Sequence, residues 1–363
     1  MRFLWELDEK EKEKFINIGL GEYGRVIRSF STLYSHIYTL EGSSKSLYIA
    51  KAPKIDSSQE IEKAYKQLRK FLNEINNIYS VCHHGLIHRF GYAKVICGVP
   101  FLVSAKRQMN LRDAIEEGAF SEVDAIVVAY QIVIALEYCA IKGIVCHQDL
   151  KPENIFLDKI SDKFVLGKNG YPYKYLAYLG DLGIANAAII SNRPWGSRPY
   201  MPPEQYNKIN DNNQLFEKTF SKVDIFALGV NLYEMLTGGI HPVGERTTDI
   251  WPTCEISKKW ESERPWKRWA NLEDKITDPD EIKNKNLLKL INDCLKSDFN
   301  QRLDLDLVKL RLSEELKKLS PSAFDTLNAY LEMIIEAEKI NTQDGWPYMD
   351  ELMNDLEYAF KDI

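Results

Sequence analysis

The chain has 363 residues, enough for one large domain or two lobes around a sizeable core. Hydrophobic residues make up 45% and charged residues 28%, the balance of a soluble globular protein, and a net charge of -6 leaves no basic footprint for nucleic acid. Six cysteines (Cys82, Cys97, Cys139, Cys146, Cys254, Cys294) include no C-x-x-C pair, which argues against a zinc site and suits free thiols in a reducing compartment. The apolar patch Phe3-Leu4-Trp5 gives way at once to charged residues, unlike a secretory signal. No run reads as long and apolar enough to span a bilayer, so a cytoplasmic protein with no membrane partner is expected.

Residues 1–14 read as a short charged helix or an irregular lead-in. Residues 15–18 (Phe-Ile-Asn-Ile) suit a strand, after which Gly19, Leu20, Gly21, Gly24 and Val26 fit G-x-G-x-x-G-x-V. Glycine serves where backbone must approach phosphate oxygens without a side chain in the way, though a plain hairpin has the same spacing. A dinucleotide-binding turn would open a helix at once. Here residues 36–40, a Gly/Ser turn and residues 47–51 read instead as strand, turn, strand. Lys51 closes that second strand, either as a solvated edge charge or as a ligand. Residues 57–80 repeat apolar side chains at helical spacing (Ile61, Ala64, Leu68, Leu72, Ile75, Ile78), with Ser57 or Ser58 as cap. Residues 99–104 read as a buried strand running into a linker at 105–110. A short helix at 111–117 and a core helix at 123–141 follow.

The next stretch, His147-Gln148-Asp149-Leu150-Lys151-Pro152-Glu153-Asn154, carries the chemistry. An aspartate five residues before an asparagine can set a base beside a nucleophile while the amide holds a metal, and a lysine two residues on can meet phosphate charge. The bland alternative is a polar loop ending at the buried strand Ile155-Phe156-Leu157. Residues 161–178 read as an elaborated hairpin. Asp181 then follows an apolar strand and precedes Gly183, a setting for a metal-binding carboxylate or for an ordinary turn. Trp251, Trp260, Trp266 and Trp269 mark a loop that either packs on the helical part or grips a peptide. Two amphipathic helices close the chain, one through Leu327, Tyr330, Leu331, Ile334 and Ile335, the other through Met349, Leu352, Met353, Leu356 and Phe360. They either dock on the preceding helices or bind a protein partner.

In order, these motifs resemble the eukaryotic-type Ser/Thr protein kinases. They are H-Q-D-L-K-P-E-N at 147–154, D-L-G at 181–183, G-S-x-x-Y-x-P-P-E at 196–204, D-x-x-A-L-G-V at 224–230 and D-F-x-x-R at 298–302. Gln148 stands where the family has arginine and Leu182 where D-F-G has phenylalanine. The resemblance implies an α+β, bilobal fold: a β-rich N-lobe at 1–105, a mainly helical C-lobe at 106–319 and a C-terminal helical extension at 320–363. It implies ATP and magnesium as cofactors and a protein hydroxyl as acceptor. The implied catalytic set is Asp149 as base, Lys151 on the γ-phosphoryl group, and Asn154 with Asp181 on the metal. The implied ATP-binding set is Gly19, Leu20, Gly21, Gly24, Val26, Lys51, Glu74, Ser104 (gatekeeper), Lys106 and Phe156. Glu74 would orient Lys51, with Glu60 and Glu62 as rivals. His147, Ser197, Glu204, Asp224 and Arg302 take structural roles, with Ser197 on Asp149 and Lys151, Glu204 paired to Arg302, and Asp224 on the loop backbone. The departures are Ile49 in place of a small residue two before Lys51, and a long Gly24-to-Lys51 spacing that suggests an inserted bulge at 28–34. Without the family arginine, activity is expected to need no phosphorylation at Ser191 or Ser197. A nucleotide-binding pseudokinase and a small-molecule phosphotransferase are the rival readings.

Overall fold

Asp8 starts the first helix. Its carboxylate accepts the N–H groups of Lys10 and Glu11 at 2.9 Å each, and helix α1 runs Glu9–Gly19. Residues 15–18 are therefore helical, not a strand. Ile16 and Leu20 stand four apart on one buried stripe, and the helical period, not alternation, satisfies them. The computed structural model describes residues 4–32, 35–43, 45–55, 61–81, 84–88, 92–163, 171–186, 196–206, 213–250 and 280–340. The Trp251–Trp269 stretch, the second C-terminal helix, Ser191 and the expected caps Ser57 and Ser58 lie outside those residues.

The described residues form two compact units, 4–81 with 92–106, and 84–88 with 107–340. The first is built on an antiparallel sheet of β1 (Arg25–Ser31), β2 (Ser35–Glu41), β3 (Leu47–Pro53), β4 (Tyr92–Ile96) and β5 (Val99–Ala105), in the order β1-β2-β3-β5-β4. Alternation along the strands sends Leu40, Ala50, Ala52, Phe101 and Val103 into one core with Leu4, Leu7, Ile16 and Leu20. Each such Leu or Phe contributes about 1.5–3 kcal/mol by leaving water. The expected bulge at 28–34 is absent among the described residues there: 25–31 are strand, and the only irregularity of the β1–β2 register falls between Val26 and Arg28. Helix α2 (Ile61–Val81) buries Leu68, Phe71, Ile75 and Ile78.

In the second unit, β6 (Met109–Asn110) leads into α3 (Leu111–Glu117), and α4 (Glu122–Ile141) forms the core helix. By length and composition α4 could cross a bilayer, which corrects the reading that no run is apolar enough. Yet 78% of its most apolar window is buried in the protein, and Gln131 within it accepts the N–H of Ala177. Strands β7 (Ile155–Lys159) and β8 (Tyr175–Leu179) pair antiparallel, with β6 on the other edge of β7. Helices α5 (Asn213–Thr237), α6 (Lys285–Cys294), α7 (Leu305–Leu319) and α8 (Pro321–Ile340) complete it. Helix α8 buries Ala323, Leu327, Leu331 and Ile334 within this unit. Residues 84–88, expected with the β-rich part, belong here instead. Ile87 bridges Leu179, and the His88 N–H donates to the Leu179 carbonyl at 2.7 Å. The architecture is α+β.

Gly24 has a φ of 127°, and a Cβ on it would lie 2.1 Å from the Glu41 carbonyl oxygen. Gly24→Ala is expected to destabilise the fold by about 1–3 kcal/mol. A urea titration will read this as a lower midpoint at unchanged slope, and a wild-type midpoint would refute the constraint.

Candidate active site

The loop at 147–154 is positioned through its backbone. Asp224, on α5 and 3% exposed, accepts the N–H of His147 at 2.7 Å and that of Gln148 at 2.9 Å. Burial raises the Asp224 pKa, against the pull of His147 and of these two N–H groups. Gln148 sits at φ 68°, a left-handed conformation that Asp224 and its neighbours must enforce. The His147 ring spans the gap to β8: Nδ1 accepts the Asp149 N–H at 3.3 Å, so Nε2 carries the proton donated to the Gly180 carbonyl at 2.8 Å.

Around Asp149 the expected residues do come together. Its Oδ1 accepts the Ser197 N–H at 2.9 Å. Its Oδ2 lies 2.9 Å from the Lys151 amine and accepts from Asn154 Nδ2 at 3.2 Å. Lys151 also donates to Ser197 Oγ at 2.9 Å, which closes a ring of Asp149, Lys151 and Ser197 with Asn154 attached to the carboxylate. Burial works against the charge on Lys151, but Asp149, Glu153 and Asp181 outweigh it and raise the lysine pKa, so the amine stays cationic. Asn154 spends its donor end on Asp149, and its oxygen is the end that can ligate. Asp181, at φ 59° just beyond β8, adds a carboxylate. Among the described residues no cluster of three or more His, Cys, Asp or Glu could hold a metal by itself. One amide oxygen and one carboxylate suit magnesium, which binds few protein oxygens and takes the rest from phosphate and water.

The first unit supplies its own constellation. Lys51 meets Glu74 at 2.5 Å, with the two side chains 15% and 6% exposed. Glu62 is exposed and Glu60 lies outside the described residues, so Glu74 is the partner. Strand register aligns Phe30, Ile37, Lys51 and Leu102 across the sheet, on the face opposite the Ala50 core. Ile49 and the buried Ser104 share that face as a cross-strand pair, so the bulk at Ile49 sits beside the gatekeeper position. The glycines lie elsewhere. Gly19 ends α1, Leu20 is in the core, and Val26 packs against that same core. Gly24 precedes Arg25, which pairs with Glu41, four residues and ~13 Å along β2 from Ile37. At Lys51's end of the sheet β1 ends at Ser31 and β2 begins at Ser35, whose N–H donates to Thr32 Oγ1 at 3.0 Å. Lys106 bonds Leu47 by its backbone, and Phe156 lies in β7 with its ring 4.6 Å from that of His88.

The second unit also pairs Glu204 with Arg302 in a fork, at 2.5 and 3.1 Å, with side chains 8% and 0% exposed. Arg302 further donates to the carbonyls of Lys222 and Lys296. Sequence reasoning missed a second buried network. Arg112 on α3 bonds Glu153 at 3.2 Å and Glu234 at 3.0 Å, and Tyr200 and Thr247 also bond Glu234. The available signal was a polar pair, Asn231 and Glu234, inside the otherwise apolar stretch 225–236 of that helix. Burial raises the Glu234 pKa against the pull of Arg112.

Another missed residue is His241, whose Nε2 donates to the Pro199 carbonyl at 2.8 Å while Nδ1 accepts the Val243 N–H. Burial pushes its pKa down to about 4. A histidine depressed in the fold contributes stability that is full above its unfolded value near 6.5 and is lost as pH falls toward 4. Between pH 7 and pH 4 this group is expected to withdraw about 3 kcal/mol. Urea titrations of wild type and His241→Gln at both pH values will measure it, and equal pH dependence in the two proteins would contradict the assignment.

Comparison with known proteins agrees with this geometry. Residues 13–310 match the protein kinase domain family model. The chain is 33% identical to MAP kinase-interacting serine/threonine-protein kinase 1 of Xenopus laevis, over 42% of this chain and 38% of that protein. It is 27% identical to the Wee1-like protein kinase of Arabidopsis thaliana over 61% and 37%. With the probable serine/threonine-protein kinase samkA of Dictyostelium discoideum it shares 23% over 64% and 33%. The chain thus spans at most 38% of the length of each of these relatives. With the family model covering most of its length, and with Asp149, Lys151, Asn154 and Ser197 gathered as they are, the chain belongs to the eukaryotic-type Ser/Thr protein kinase family.

Proposed function

We propose that the protein transfers the γ-phosphoryl group of ATP to a serine or threonine hydroxyl of a protein substrate. The observation that carries this reading is the cluster of Asp149, Lys151, Asn154 and Ser197, in which one carboxylate is held by three donors. Asp149 orients the acceptor hydroxyl and takes its proton. Lys151, kept cationic by its acidic neighbours, neutralises charge on the moving phosphoryl group. Asn154 and Asp181 would hold magnesium, which would supply charge screening for the phosphate oxygens. Lys51, oriented by Glu74, fixes the α- and β-phosphates. We assign the glycines at 19, 21 and 24 a backbone role at the end of α1 and the entry to β1 rather than a phosphate contact, because the start of β1 lies away from Lys51 in the strand register. Placement and charge stabilisation then supply most of the rate. Lys151 favours Ser/Thr over Tyr acceptors. We place the protein in the cytoplasm with ATP and protein as its partners. Net charge -6 and the free thiols Cys139, Cys146 and Cys294 support that reading.

Labelled ATP with magnesium and a generic protein substrate tests the proposal. Asp149→Asn is expected to lower kcat by about 10²–10⁴-fold with the KM for ATP little changed. Turnover near wild type would remove Asp149 from its role, and nucleotide binding without transfer by the unmodified chain would favour a scaffold. The neutral Gln148 cannot copy the paired hydrogen bonds of an arginine to phosphate. Phosphatase-treated protein is therefore expected to remain active. Loss of activity restored by phosphorylation at Ser191 or Ser197 would reverse this.

A further inference from the structure

We infer that Gln205 is a positioning residue that latches the Gly196–Ser197 turn onto the loop at 147–154 through a neutral amide contact. The inference rests on the kinase reading above and concerns what holds Ser197 against Asp149 and Lys151 when the arginine before Asp149 is replaced by glutamine.

Three segments far apart in sequence meet at one point. Gln205 lies in the one-turn helix Pro203–Tyr206 and is 5% exposed. Its Nε2 donates to the backbone carbonyl of Gln148 at 3.2 Å. Gly196 passes between them at φ 127°. A Cβ there would lie 2.6 Å from the Gln148 oxygen and 2.7 Å from Gln205 Nε2, so no larger residue fits. One residue on, the Ser197 N–H reaches Asp149 Oδ1 and the Ser197 hydroxyl accepts from Lys151, each at 2.9 Å.

Both sides of the latch are fixed. The carbonyl of Gln148 has its direction set by the Asp224 bond to the neighbouring N–H and by the left-handed backbone of that residue. Gln205 directly follows Glu204, whose fork to Arg302 anchors the short helix. A side-chain amide bonded to a backbone carbonyl carries no net charge, so its strength does not depend on a phosphate arriving nearby. It does the ordering that a phosphate-binding arginine would otherwise perform. Gln205 touches neither nucleotide nor acceptor hydroxyl; it acts through Ser197.

The test uses the full chain after phosphatase treatment, with labelled ATP, magnesium and a generic protein substrate. Gln205→Met removes the donor and keeps the length. It is expected to lower kcat about tenfold while leaving the KM for ATP unchanged. Gln205→Glu, the same shape with an acceptor facing the carbonyl, is expected to lose at least as much, and it decides the matter if the methionine variant fails to fold. A second readout needs no catalysis. The Ser197 amide, protected by Asp149 in wild type, is expected to exchange faster in both variants at unchanged melting temperature. If the unmodified chain transfers no phosphate, the kinase reading fails and this exchange measurement still decides the latch. Wild-type exchange at Ser197, or a change confined to KM, overturns it.

Discussion

A single buried carboxylate governs the arrangement of the second unit. Asp224 takes two consecutive backbone N–H groups of the loop at 147–154. It thereby stabilises a left-handed residue, Gln148, that an unsupported chain would rarely adopt. From that fixed point the loop is laid out residue by residue. His147 reaches back to Gly180, Asp149 faces Ser197, and Asn231 donates to the carbonyl of Leu150 at 3.2 Å. Each of these is a contact between backbone and a buried or half-buried side chain, where an unmade bond costs more than a made one gains. The loop has few alternatives to the conformation seen.

Charge in this unit is arranged in pairs of unequal purpose. Lys151 and Asp149 are partly exposed, and their attraction keeps the lysine amine cationic. Glu204 with Arg302, and Arg112 with Glu234, are buried and purely architectural. Such pairs add little over an apolar replacement, yet removing one member leaves an uncompensated charge at a cost of about 3–5 kcal/mol. Both architectural pairs border the 196–206 segment, Arg302 through Glu204 and Arg112 through the Tyr200 hydroxyl. The segment that presents Ser197 is thus held at Tyr200 by a hydrogen bond from Arg112 and toward its end by the Glu204 ion pair and the Gln205 amide contact.

Much of the site was legible in the sequence because its chemistry is local. Asp149, Lys151 and Asn154 sit within six residues, and a Pro-terminated loop before an apolar strand leaves little freedom in how they project. Glu74 was chosen from three acids on a helix whose apolar stripe was readable, and of the two that are described it alone is both buried and bonded to Lys51. Arg112, Glu234, His241 and Gln205 were not legible. Each is an ordinary polar residue in its own segment and acquires a role only from partners tens of residues away.

The glycines separate the two kinds of information most clearly. Three glycines and a valine at the right intervals say that backbone passes close to something, but spacing along the chain carries no register against a neighbouring strand. The fold decided that the neighbour of Gly24 is the Glu41 carbonyl, and that Lys51 stands in register with Ile37 and Phe30 instead. The sequence by itself determined the family, the trio of Asp149, Lys151 and Asn154 and most of the helices, because those are written in contiguous patterns of polarity and size, whereas residues 15–18, read as a strand, fold as helix. Tertiary structure alone decided which backbone atoms those residues meet, since strand register and the burial of distant polar pairs arise only once the chain has closed on itself.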